Sequence, residues 1–230
     1  MNPQFTDFKC QKIPKLQMLD KQKQNYIQSH YPSPKQLRQW QQQWQHIQYF
    51  NTATSSEQTC TSNNKIEAQQ VQWLIDVFND LFHWQNVKLV KGNTEPEYFP
   101  ATIETPAQIV FAHGYFSSAL HEISHWSIAG KKRRTLADFG YWYAPDGRSP
   151  EQQRIFEQVE VKPQAIECLL TWACKKNFHT SKDNLEARFA LKDTQFDQDV
   201  HQQIQNYLFK PDLLPKDALL LINTLNKVCS

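Results

Sequence analysis

Five consecutive residues, His121, Glu122, Ile123, Ser124 and His125, restrict this chain more than any other feature. They match H-E-x-x-H, and a helix puts residues i and i+4 one turn apart on the same face. Both imidazoles can then reach one divalent ion, while Glu122 flanks them where a carboxylate can contact an ion-bound water as general base. The surroundings agree with a helix. Gln108–His113 (QIVFAH) reads as a buried strand that delivers the chain, Ser117 or Ser118 as the cap of a helix over 117–129, and Gly130 as its left-handed stop.

A two-histidine site needs a third protein ligand and an open position. The metzincin spacing is excluded, because residue 128 is Ile and residue 131 is Lys. The next acidic cluster is Glu157, Glu160 and Glu167 in FEQVEVKPQAIECLL. If that segment is one helix, Phe156, Val159, Pro163, Ile166, Leu170 and Ala173 form its buried stripe. Glu160 and Glu167 border the stripe and Glu157 faces solvent, so periodicity favours either of the first two without separating them. Pro163 is expected to kink the helix or to start it. Two histidines and a carboxylate suit zinc in a hydrolase, peptidase or ribonuclease-like, or iron(II) in an oxygenase. A purely structural ion is disfavoured, since structural zinc sites are cysteine-rich and no cysteine lies near these histidines in sequence.

Glycine is scarce and confined. Average usage predicts about 16 in a chain of this length, yet there are five, at 92, 114, 130, 140 and 147. Their spacing forms neither a dinucleotide fingerprint nor a P-loop. A net charge of +2 is too mild for a dedicated nucleic-acid binder. No signal peptide or membrane-spanning run is evident. Five cysteines without a C-x-x-C pair read as reduced thiols in a cytosolic protein.

The 230 residues divide by texture. Residues 1–64 form a Gln-rich N-terminal extension with one amphipathic helix, begun at Ser33-Pro34 and striped by Leu37, Trp40, Trp44 and Ile47. Packing of those tryptophans on the main domain is favoured over an exposed partner-binding stripe. Residues 65–230 form the metal-dependent domain. Helices are expected over 66–83, from Ser149 onward, near 197–209 and over 215–228. Strands are expected at Val87–Val90, at QIVFAH and at Asp138–Tyr143 (DFGYWY), the last ended by a turn through Ala144–Gly147. The fold class is α+β, a small mixed sheet packed with helices.

Other residues compete for roles near the ion. His113 ends its strand either hydrogen-bonded or beside the metal. Asp138 is a candidate to orient a ligating histidine. Tyr141 and Tyr143 share a strand face that either packs in the core or borders substrate. Lys131–Arg134 (KKRR) either complements the helix dipole or docks an acidic partner.

Several stretches together resemble the elongation factor P hydroxylases. They are FAHGYFSSALHEISHWSIAG (Phe111–Gly130), DFGYWYAPDGR (Asp138–Arg148) and FEQVEVKPQAIE (Phe156–Glu167), with KGNTEPEYFPA at 91–101 and DNLE at 183–186. The likeness runs from about residue 70 to 210 and leaves residues 1–64 outside it. It implies a bacterial cytosolic enzyme with a non-haem metal, iron rather than zinc, and O2 as co-substrate. The implied reaction hydroxylates the lysine of elongation factor P that already carries a β-lysyl group. No nucleic acid or membrane partner is implied. The implied fold is zincin-like, close to a metal-dependent ribonuclease (YbeY-like) architecture, and the implied metal ligands are His121, His125 and Glu160.

Overall fold

The computed structural model describes residues 7–8, 19–53, 60–140, 148–181 and 195–230. In chain order its elements are β1 (Asp7–Phe8), α1 (Lys21–His30), α2 (Pro34–Ala53), α3 (Cys60–Phe82), β2 (Val87–Lys91), β3 (Glu97–Phe99), β4 (Ala107–Phe111), α4 (Phe116–Arg133), α5 (Pro150–Ala173), β5 (Phe178–His179), α6 (Gln195–Phe209) and α7 (Lys216–Val228). Short 3-10 turns lie at His83–Gln85, Ala137–Gly140 and Pro211–Leu213. The architecture is α+β with a small mixed sheet.

That sheet has the order β2-β4-β3. β4 runs parallel to β2, with Leu89 opposite Ile109, and antiparallel to β3, with Tyr98 opposite Ile109. Apolar residues alternate along both parallel strands, so Val87, Leu89, Ala107, Ile109 and Phe111 are buried on one face. The chain passes from β4 into α4 through His113 and Gly114, both at positive φ (54° and 71°). A separate two-stranded pairing joins β1 to β5.

The helices form the bulk of the core. α7 is apolar on almost every side, with Ala218–Ile222, Leu225 and Val228 all buried. Such a helix belongs at the centre of a bundle, and α7 packs against α1, α2, α4 and α5. Phe78, Phe82 and Trp126 form an edge-to-face cluster between α3 and α4, with centroids 4.9–5.3 Å apart. The tryptophan stripe of α2 packs inward as expected. Trp40, Trp44 and Ile47 are buried, Trp44 lies 4.5 Å from Trp73, and Trp73 Nε1 donates to the Trp40 carbonyl. α1 and β3 carry no signal that the sequence patterns identify. α2 and α3 also extend into the polar stretch 51–64, helical at 51–53 and from 60 on. No described helix is long and apolar enough to cross a membrane. The described cysteines Cys168, Cys174 and Cys229 are buried thiols, not disulfides.

Three expectations are corrected. The segment from Asp138 is not a strand where it is described. Asp138, Phe139 and Gly140 all have positive φ (45°, 57° and 70°), which extended backbone cannot have. Phe139 is instead buried and stacked on Tyr98 at 4.1 Å, while Asp138 accepts a hydrogen bond from the Tyr98 N–H at 2.8 Å. Tyr141, Tyr143 and the turn through Gly147 lie outside the described residues. Second, Pro163 neither starts nor breaks α5, which runs continuously from a capping box of Ser149 and Gln152 with Pro150 at its first position. Third, neither Ser117 nor Ser118 caps α4. Tyr115 is the N-cap residue and the Glu67 carboxylate of α3 accepts the Phe116 N–H at 2.8 Å. A carboxylate is favourable there because it meets the positive end of the helix dipole.

The basic run after α4 also divides. Lys131 and Lys132 are exposed, whereas the chain turns at Gly130 (φ 66°) and Arg134 folds back inward. Its guanidinium lies 3.7 Å over the Trp126 ring and donates to the Trp126 carbonyl, to Gln85 and to the buried Asp217 of α7, the last at 2.7 Å. Asp217 also accepts from Gln85 and from the Tyr26 hydroxyl. Burial and the Asp217 carboxylate push the Tyr26 hydroxyl pKa up, so it remains a donor. Removing one partner of such a pair strands the other charge. Arg134→Met should therefore cost about 3 kcal/mol in equilibrium urea unfolding. Adding Asp217→Leu, which removes the stranded charge, should recover part of that loss.

Candidate metal centre

α4 and α5 pack against each other and carry the site between them. α4 buries Phe116, Ala119, Leu120, Ile123 and Trp126, which leaves His121 and His125 on the edge that meets α5. On α5 the burial pattern differs from simple periodicity. Glu160 is 1% exposed and Glu167 is also buried, whereas Val159, expected in the apolar stripe, is only half-buried.

The three candidate ligands converge. His125 Nε2 lies 3.1 Å from His121 Nε2 and 3.2 Å from Glu160 Oε1, and His121 Nε2 lies 3.5 Å from Glu160 Oε2. Donors about 2.1 Å from one ion would sit about 3.4 Å apart in a tetrahedron and about 3.0 Å apart at adjacent octahedral corners. The observed 3.1, 3.2 and 3.5 Å, taken to the nearer Glu160 oxygen for each histidine, lie close to these values. His121, His125 and Glu160 are thus a group that could hold a divalent ion, the one such group among the described residues. Both Glu160 oxygens are buried with no hydrogen-bond donor. A buried carboxylate without a donor is costly unless a cation meets it, so the donor set fits a metal.

Electrostatics follow from the same crowding. Burial alone would raise the Glu160 carboxyl, but His125 and then His121 draw its pKa down to about 2. Burial would lower His121, yet hydrogen bonding and charge from Glu167, with further charge from Glu160 and Glu122, raise it to about 10. Glu122 is pushed up, chiefly by burial and against the pull of both histidines.

The remaining candidates are dispersed. Glu167 Oε2 lies 2.9 Å from His121 Nδ1, behind the ring and away from the nitrogen that faces Glu160. Glu157 is half-buried, accepts from Gln153 and does not join the group. His113 is exposed beside Tyr115, with centroids 6.3 Å apart, and is also outside it. Asp138 accepts the Tyr98 N–H through Oδ1 at 2.8 Å. Tyr141 lies outside the described residues.

A feature missed by periodicity is a cleft of about 250 Å³ beside His125, between α4 and α5. Ile128, Ala129, Val159 and Pro163 form its apolar wall, with Gln158 and Lys162 also lining it. The sequence signal for it was Pro163. Having no N–H, it cannot donate to the Val159 carbonyl one turn back, and both residues line the cleft.

The sequence profile of the elongation factor P hydroxylases matches residues 77–229. A protein from Haemophilus influenzae described as elongation factor P lysine hydroxylase is 53% identical over 148 residues, which are 63% of this chain and 81% of that protein. With most of its length matched, including the whole of α4 and α5, this chain belongs to the elongation factor P hydroxylase family.

Proposed function

We propose that this chain hydroxylates a lysine side chain of elongation factor P in its β-lysyl-extended form. In this reading iron(II) is held by His121, His125 and Glu160, and O2 is co-substrate. The observation that carries the reading is the Glu160 carboxylate, buried without a donor and facing two imidazole nitrogens in a chain of a hydroxylase family. Iron bound there would supply the redox chemistry that activates O2.

The chain's own residues hold, orient and shield. His121 and His125 serve as neutral donors through Nε2, and Glu160 supplies negative charge. The apolar wall of the cleft suits the methylenes of a lysine side chain and keeps water from them. Glu122 holds water or the substrate ammonium and is not the general base. In a zinc hydrolase Glu122 would instead deprotonate the attacking water; the family relationship gives that alternative no support. The exposed Lys131 and Lys132 suit an acidic surface on the partner protein. The catalytic domain is 65–230, residues 1–64 are a bracing extension, and the enzyme works in the cytosol.

Titrated anaerobically with Fe(II), the purified chain should take up one ion. At a hundredfold excess over Kd the gain in stability should be about 2.7 kcal/mol, read by unfolding. His121→Ala, His125→Ala and Glu160→Ala should each abolish that gain.

With Fe(II), O2 and a reductant, modified elongation factor P should gain one oxygen atom by mass spectrometry. Absence of that gain would sink the hydroxylase reading. Glu122→Gln should keep its metal and hydroxylate with a raised KM, whereas metal-dependent hydrolysis by the wild type that Glu122→Gln abolishes would favour the hydrolase.

A further inference from the structure

We infer that Glu167 is a positioning residue for the metal centre: it holds the His121 imidazole in the tautomer and orientation that aim Nε2 at the ion site. The inference rests on the proposed metal role of His121, His125 and Glu160.

The two nitrogens of an imidazole point to opposite sides of the ring. At His121 one side faces Glu160 and His125, and the other meets Glu167 Oε2 at 2.9 Å. An ionised carboxylate can only accept, so Nδ1 must carry the proton in that contact. Nε2 then presents its lone pair toward the Glu160 side. Without such an acceptor the proton can reside on either nitrogen, and the ring can turn about its bond to Cβ.

Position along α5 assigns the two carboxylates different tasks. Seven residues separate Glu160 and Glu167, about 10.5 Å of helix rise. Both project from nearly the same face, and His121 stands between them as the spacer. Glu167 cannot reach the ion site through that ring without giving up Nδ1. The group that converges to ligating distance accordingly contains Glu160 and not Glu167. Glu167 is buried against the helix pair, so the contact is sheltered from water. Residues that orient a ligating histidine commonly tune metal affinity by 10–100-fold.

The test uses zinc as the probe, with affinity measured by competition against a chromophoric chelator. Far-UV circular dichroism confirms that each variant is folded. Glu167→Ala should weaken zinc binding by about 10–100-fold. Glu167→Gln keeps an acceptor oxygen of the same reach and should recover most of that loss. In the cobalt-substituted protein, visible absorption should change in the alanine variant and stay close to wild type in the glutamine variant.

Equal affinity in wild type and Glu167→Ala would overturn the inference. So would an equal loss in both variants, which would mark Glu167 as a direct ligand. If the wild-type chain binds no zinc or iron at all, the metal reading fails and the positioning role falls with it. If wild type binds and only the variants disagree, the positioning role alone fails.

Discussion

The Glu160 carboxylate is the constraint around which this fold is arranged. Moving a carboxylate out of water costs several kcal/mol even after the protein relaxes. At Glu160 the exposure is 1%, and the two histidines offset that cost, drawing the carboxyl down to a pKa of about 2. What faces it is a pair of imidazoles from the adjoining helix. α4 and α5 must therefore pack in one register, because sliding either by a turn would leave the carboxylate among apolar side chains. The surrounding core provides the rigidity. From Pro163 to Ala173 every residue of α5 is buried, and α6 and α7 both pack against that helix.

A second charge pair, Arg134 with Asp217, secures the far end of α4. Beyond Gly130 the chain reverses, and Arg134 returns to lie over Trp126 and to meet Asp217. Positive φ at Gly130 makes this return possible without strain on a Cβ. α4 is thus held at its midpoint by the histidine–carboxylate cluster and past its end by the arginine–aspartate pair. The first of these anchors contains both histidines, whose Nε2 atoms lie 3.1 Å apart. The two anchors also explain why only part of a basic run is available to a partner. One of its four cations is structural.

The legible part of the site was local. His121 and His125 are set by one turn of helix, and any helix over that segment would bring them together. Glu160 and Glu167 could not be separated by pattern because a heptad differs from two full turns by only about 20°. Their difference is axial, and only the packing of α4 on α5 decides which carboxylate meets Nε2 and which meets Nδ1. The same limit explains the errors. Aromatic-rich DFGYWY has the composition of a strand, but Phe139 gains more by stacking on Tyr98, and Asp138 by capturing a backbone N–H. Ser117 and Ser118 are good local caps, yet a carboxylate 49 residues earlier in sequence takes that place. The α+β class and the main helices followed from their apolar patterning, although α7 is buried on almost every side.

The start of α4 depends on residues outside the segment that matches the family, which begins at residue 77 within α3. Glu67, on the preceding part of α3, accepts the Phe116 N–H at the first turn of α4. Trp44 of α2 lies 4.5 Å from Trp73 and 6.1 Å from Phe116 by ring centroid. Phe116 also receives the Lys176 ammonium over its ring at 4.7 Å. His121 follows Phe116 by little more than one turn, so a shift of that first turn would be carried almost undiminished to its imidazole. Trp44 of α2 thus supports, through Trp73 and Phe116, the end of α4 that sets where His121 stands.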